Sequence, residues 1–416
     1  MKLLLKAAKI IDKSSPYHLQ TKDILIEKGI ISKIEDSISE AHSEIIQLED
    51  LHISQGWFDT SVCFGEPGFE ERETIDHGLQ VAAKSGFTAV AINPNTNPVS
   101  DNKAVIELMI NKAQYSATNI HPIGAFTNGM KGEDMAELFD MQNSGAIAFG
   151  DYNKAISNPN LLKIGLLYTQ NFNGLLISFP QENRIAGSGL VNEEVNSTQL
   201  GLKGIPALAE EIQIVRDLFL VEYTEGKLHI PTISTKKSVE LIKEAKSKCL
   251  DITCSVSAHH LTLTDNEIKN FDANNKVLPP LRTQKDCDAL IEGVKDGTID
   301  MITSDHNPID IEHKKMEYNN AKFGSIGLES LFGSLNQVLP LEVLVENLSE
   351  KPKKRFNIEV NPIKVGNKAE LSLFTPTAEY IFSEEDILSS SKNSIFMNKK
   401  MIGKAYGIIA NNQVIL

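Results

Sequence analysis

Thr303-Ser304-Asp305-His306-Asn307-Pro308 sets a carboxylate and an imidazole among small polar groups directly after a short apolar run. Asp305 in such a terminus can shuttle a proton or ligate a cation when an electrophile or metal lies opposite it. Other apolar runs end on single groups: Asp59 and Cys63 in DTSVCFGEPG, Asn95 in NPNTNP, Asp151 in FGDY and His229 in HIPT. Cys63 could ligate zinc or attack as a thiolate, yet no charged partner is identifiable in sequence, and a small buried hydrophobe is the plainer reading. The Asn95 amide could bind a carboxylate or carbonyl, or simply close a turn. His259 and His260 are adjacent, so on a strand or turn their rings point in different directions and make no bidentate site by themselves. A hydrolytic zinc site needs three or four donors within roughly 2.0–2.3 Å of the ion. Asp59, Cys63, Asp151 and Asp305 are the best available and include no histidine cluster; no G-x-x-x-x-G-K-[ST] loop is present to grip a phosphate with magnesium.

These groups sit at the ends of apolar runs that alternate with longer helical stretches. FTAVAINP follows TIDHGLQVAAKSG, GAIAFG follows MAELFDMQNS, LLISFP follows NPNLLKIGLLYTQNFN, and the order continues through KLHIPTIST, LDITCSVS and DMITSD. Such alternation demands right-handed crossovers and a parallel sheet, and at least six strand ends bearing polar residues suit a closed (β/α)8 TIM barrel over residues 55–361. Residues 1–54 carry short strand-like pieces with a Lys28-Gly29 hairpin signal, and residues 362–416 return to β-like pieces such as AELSLFTP, SIFMNKKMI and KAYGIIANNQVIL. Both termini are therefore expected to build one small β-sandwich domain beside the barrel, giving an α/β protein.

The 416 residues carry 41% hydrophobic and 23% charged side chains, an ordinary globular balance with material for a sizeable core. A net charge of −14 makes nucleic acid a poor partner, and the basic run Lys351–Arg355 (KPKKR) reads as a solvated turn. No apolar stretch approaches the roughly 20 residues of a membrane span, and the N-terminus lacks a signal-peptide pattern, so the expected location is cytoplasmic. Four cysteines are too few for a disulfide framework.

Taken together, Gly56-Trp57-Phe58-Asp59 leading to Glu66-Pro67-Gly68, Pro94-Asn95-Thr96, Ser234-Thr235, His259-His260-Leu261, Pro279-Pro280-Leu281-Arg282 and Ser304-Asp305-His306 form a recognisable set. From about Lys22 to the C-terminus the chain resembles the dihydroorotase family of the amidohydrolase superfamily, in the branch associated with aspartate carbamoyltransferase. The resemblance implies a metal-binding His-x-His and a substrate-gripping arginine where this chain has Ser61, Cys63 and Gly65. Two further ligand histidines correspond to Ser178 and Thr232, a substrate-contacting asparagine to Leu278, and the histidine after Asp-His-x-Pro to Ile309. His229 keeps a motif histidine that does not ordinarily bind metal. Asn95 remains as a relic of substrate binding, Asp151 as the counterpart of an aspartate near the metals, and Asp305 as the vestigial counterpart of the catalytic acid/base.

Without a metal-lowered water there is no nucleophile, and without the arginine no electrostatic capture of an acidic ring. The expectation is a dihydroorotase-like pseudoenzyme of pyrimidine biosynthesis, with no metal cofactor and only Asp151 and Asp305 as weak metal candidates. It would act as a homo-oligomeric scaffold or regulator of aspartate carbamoyltransferase. The alternative is an active dihydroorotase or related cyclic amidohydrolase, opening dihydroorotate to carbamoyl aspartate with zinc in a rebuilt site. A third reading is a sensor that holds a carboxylate through Asn95 and Arg282.

Overall fold

The computed structural model describes residues 2–40 and 42–416. Eight parallel strands follow one another around a barrel: Trp57–Val62, Phe87–Ile92, Asn119–Gly124, Ala148–Phe149, Leu176–Ile177, Leu228–Ile230, Ile252–Ser257 and Met301–Thr303. Several of them, such as Phe87–Ile92, are continuous or near-continuous apolar runs because both faces are covered, and every residue of Phe87–Ile92 is buried. A parallel bridge between Val62 and His306 joins the last strand to the first and closes the cylinder. Helices return the chain between strands. Ile75–Lys84, for example, is started by Thr74, whose hydroxyl accepts from the His77 amide at 3.3 Å, and it buries Ile75, Leu79 and Ala82 at helical spacing. No helix among the described residues is long and apolar enough to cross a membrane.

The termini meet in a second eight-stranded sheet. His52–Gln55 pairs in parallel with Lys2–Ile10 and antiparallel with Leu371–Ile381, so strands from both ends of the chain share one hydrogen-bonded sheet and one core containing Leu3, Ile24, Ile53 and Leu373. Lys28 and Gly29 take φ of 52° and 79°, the paired left-handed conformations that a two-residue hairpin requires. The α/β reading, a TIM barrel with a β-sandwich made from both termini, holds.

Trp57 is the hinge between barrel and terminal sheet. Its ring lies 5.0 Å from Phe332, 5.4 Å from Phe374 and 5.8 Å from Phe87, and its indole N–H donates to Ser54 Oγ at 2.9 Å. Gly86 passes beside this ring at φ +93°, where a Cβ would come within 2.7 Å of Trp57 Cζ3. Gly86→Ala is therefore expected to cost about 2–3 kcal/mol in urea unfolding, from backbone strain and displacement of the indole.

One strand was passed over in sequence and two local readings need correction. Asn119–Gly124 is a barrel strand although Asn119, His121 and Pro122 interrupt its apolar pattern. SIFMNKKMI is not one strand: Ile395–Asn398 forms a turn and pairing begins at Lys400. KPKKR is no solvated turn but most of the helix Glu350–Arg355, in which Lys353 is buried 3.6 Å from Glu370 and Arg355 donates to the Leu228 carbonyl at 2.9 Å. Long aliphatic stems let these cations lie along the barrel floor while their charged ends find acceptors.

Candidate functional site

The C-terminal strand ends converge on a closely hydrogen-bonded cluster. Asp59, fully buried on the first strand, accepts from the Ser61 amide at 3.1 Å, the Ser304 amide at 3.0 Å and the Thr303 hydroxyl, so one carboxylate ties the first strand to the eighth. Ser61 Oγ donates to Asp305 Oδ1 at 3.0 Å and accepts from Asn93 Nδ2 at 3.0 Å. The Tyr152 hydroxyl reaches the same Asp305 oxygen at 3.5 Å, and Asn93 Nδ2 also lies 3.6 Å from Cys63 Sγ.

Among the described residues no cation faces Asp305. Burial, aided by the neighbouring Asp59 charge and only partly offset by the Ser61 and Tyr152 hydroxyls, lifts its carboxyl to about 7. Burial likewise pushes the Cys63 thiol up to about 12, which withholds the thiolate that metal binding or nucleophilic attack needs. The reading of Cys63 as a small buried group is the one its surroundings support. His229 donates and accepts on the barrel wall, 3.0 Å from Thr253 Oγ1 and 3.2 Å from Ser255 Oγ, and burial lowers its imidazole to about 3.

Other sequence candidates lie elsewhere. Asp151 takes hydrogen bonds from the Phe126 amide at 2.9 Å, the Thr127 amide at 3.0 Å and the Thr127 hydroxyl, so its carboxylate staples the loop after the third strand. Ser178 Oγ donates at 2.6 Å to Asp217 on the long helix Ala207–Thr224. His260 is fixed between Ser257 Oγ at 2.6 Å and the Pro279 carbonyl at 3.1 Å, whereas His259 Nε2 and Asn95 Oδ1 are buried without partners. Arg282, proposed with Asn95 as a carboxylate holder, is committed to Asn192 Oδ1 at 2.8 Å, the Ile205 carbonyl at 2.7 Å and Ser234 Oγ at 3.1 Å. That corrects the sensor reading, since this guanidinium is a buried structural tie.

Asn93, Tyr152 and Thr303 stood within the strand-end stretches that the sequence singles out, but it assigned them no part in the cluster; each lies within two residues of Asn95, Asp151 or Asp305. The central cavity, lined by Ser61, Asn93, Tyr152, His229, Thr232 and Asp305 among others, measures about 20 Å³. That is room for about one water, against the roughly 300–1,000 Å³ of ordinary ligand pockets.

Zinc asks for imidazole nitrogen, thiolate or free carboxylate oxygen. Here the corresponding positions offer two engaged serine hydroxyls, a threonine and a neutral thiol, and no group of three or more His, Cys, Asp or Glu side chains suited to a metal forms among the described residues. The donor set does not fit the metal that the resemblance implies. Thr232 sharpens the point. Its φ of +45° is an outlier for a β-branched residue, in a region where histidine and asparagine are far more at ease. Thr232→Asn is expected to raise stability by about 1 kcal/mol in chemical denaturation.

A closed parallel barrel with polar groups gathered at its C-terminal mouth, carried beside a β-sandwich, defines an amidohydrolase-type architecture. The L-hydantoinase (dihydropyrimidinase) of Arthrobacter aurescens superposes with a TM-score of 0.84 at 21% identity, covering 100% of this chain and 97% of that one. The D-hydantoinase (dihydropyrimidinase) of Thermus sp. gives 0.80 at 17% identity over 99% and 94%; at such identities the likeness concerns the fold.

The Dihydro-orotase-like family model matches residues 52–238. The dihydroorotase of Ruminiclostridium cellulolyticum is 39% identical over 423 residues, covering 100% of this chain and 99% of that protein, and the dihydroorotase of Thermoanaerobacter sp. is 40% identical over 410 residues, covering 97% and 94%. The chain belongs to the dihydroorotase family.

Proposed function

We propose that this chain is a dihydroorotase-family barrel that does not open dihydroorotate and that serves cytoplasmic pyrimidine biosynthesis as a scaffold or regulator of aspartate carbamoyltransferase. One observation carries the non-catalytic part: the Asp305–Ser61–Asn93 ladder fills the mouth down to a cavity of about 20 Å³, where an ion and an acidic ring would have to sit. Among the described residues Asp305 is the one carboxyl lining that space, and burial lifts it to about 7, so near neutrality it is only partly ionised and a poorer metal ligand. The carbamoyltransferase part rests on the family branch that the sequence resembles.

The second reading, an active dihydroorotase, is favoured by a different observation: relatives 36–40% identical across nearly the whole chain carry that name. Elemental analysis and dihydroorotate assays in both directions on the purified chain separate the two. The expected result is substoichiometric zinc and turnover indistinguishable from the uncatalysed reaction. Stoichiometric zinc with steady enzymatic turnover would establish the second reading instead. Mass measurement of the chain mixed with the aspartate carbamoyltransferase of its own organism tests the partner, and absence of a complex at micromolar concentration would remove it.

A further inference from the structure

At the floor of the barrel, the end opposite the mouth, a cleft of about 610 Å³ opens between the strand starts and the terminal sheet. Asn119 and His121 begin the third barrel strand, and Asn357 follows the helix Glu350–Arg355. Lys28 and Asn412 come from two hairpin tips of the terminal sheet, which meet closely enough that a Cβ on Gly29 would lie 3.4 Å from Asn412 Cβ. The volume lies within the roughly 300–1,000 Å³ of ordinary ligand pockets, and a junction between domains is a common place for one.

The polar side chains of this cleft are unevenly committed. Glu370 lies 3.6 Å from Lys353 and accepts from Asn119 Nδ2 at 3.4 Å and Asn361 Nδ2 at 3.3 Å. Glu359 pairs with Lys368 at 2.7 Å, so both lining carboxylates already have a cation. Lys28 has no carboxylate partner among the described residues, and there the His121 ring and the Asn357 and Asn412 carboxamides make no hydrogen bond. Burial, helped by the Lys353 charge, holds His121 down at about 4, so at neutral pH its imidazole is uncharged and offers one N–H and one lone pair. Phe58 meets that ring edge-on, 5.7 Å between centroids. What is left over is one ammonium, one neutral imidazole and two carboxamides, beside the apolar flanks of Ile147 and Ile358. A single unmatched positive charge among neutral donors suits an anion of single charge, whereas a dianion would call for a second cation.

We propose that this cleft binds a small organic monocarboxylate, its head held by Lys28 and the carboxamides and its body resting against His121 and the isoleucines. Chemistry in such a barrel belongs to the opposite end, so this ligand is held and not converted, and it ties the terminal sheet to the barrel. The proposal does not depend on whether the mouth is catalytic.

Benzoate is the probe, and benzamide, the same shape without the charge, is its control. In the full chain carrying ¹³C-labelled histidine, one ring signal, assigned by its loss in His121→Gln, is expected to shift saturably with benzoate. Half-saturation is expected at roughly 1 mM or below, and benzamide is expected to leave the signal in place. Lys28→Asn creates the Asn-Gly pair that its left-handed turn favours, at φ 52°, and removes only the charge. Asn357→Gly likewise keeps a backbone at φ 56° and removes a carboxamide. Each is expected to weaken benzoate binding about 10-fold, with thermal unfolding of the unliganded chain unchanged. A His121 signal that benzoate does not move, an equal response to benzamide, a stronger response to inorganic phosphate, or undiminished binding in Lys28→Asn would overturn the proposal.

Discussion

Asp305→Asn is expected to flatten the pH dependence of stability between about pH 4 and 7 and to raise stability at pH 8 by about 2–4 kcal/mol. The folded-state carboxyl of Asp305 is lifted to about 7 by burial, with Asp59 close by and no cation in contact among the described residues. An unfolded chain releases this proton near 3.9, so about 3 pKa units separate the two states, equivalent to about 4 kcal/mol. A group raised in the folded state contributes stability that is complete below the unfolded value and is lost as pH climbs through the folded value. The native chain should thus weaken from pH 4 to 7 and level off above. Asparagine keeps the shape and one hydrogen-bonding oxygen for Ser61 and Tyr152 but cannot ionise. The comparison must be a difference between native and variant denaturation curves, since burial also raises Asp59, Asp151 and Asp217 and these add their own slope. Parallel curves for the two proteins would show that Asp305 is already ionised in the fold, which would restore it as a candidate metal ligand.

The same residue marks how far the sequence can be read. Asp305 stood out because apolar Met301–Ile302 and polar Thr303–Asn307 meet at one strand end, and the period of apolar runs placed that end at a barrel mouth. Replacement of donors at Ser61, Cys63, Ser178 and Thr232 was equally legible, since residue type alone says which groups can hold zinc. Direction was not. Ser178 gives no hint in sequence that its hydroxyl turns to Asp217, 39 positions later, and Ser61 meets Asp305 across 244 positions. Long-range hydrogen bonds carry no local signature. Asn119–Gly124 escaped because a strand under helices can accept His121 and Pro122 where neighbours supply other partners, which defeats a pattern built on continuous apolarity. Lys353 escaped for the converse reason: composition assigns lysine to solvent, and only the packed barrel floor beside Glu370 buries it.

Arg282→Met is expected to cost about 3–5 kcal/mol in equilibrium unfolding, a loss far beyond that of a surface arginine. The guanidinium is 3% exposed and bridges Asn192, the Ile205 carbonyl and Ser234, drawing three segments together. Ser234 is held in turn by Glu210, whose carboxylate also accepts from the Ser238 hydroxyl at 2.6 Å and the Thr235 amide at 3.2 Å. Removing the cation takes away the positive charge that acts on the Glu210 carboxylate and orphans the acceptors at Asn192 and Ile205. Methionine fills the volume of the aliphatic stem, so the loss reports the polar network rather than a cavity. A ligand-gripping arginine would behave oppositely, because a side chain held free for an external carboxylate contributes little to the unliganded fold. If Arg282→Met retains native stability and abolishes calorimetric binding of dihydroorotate or carbamoyl aspartate, the guanidinium belongs to a ligand and its present partners are only its resting place.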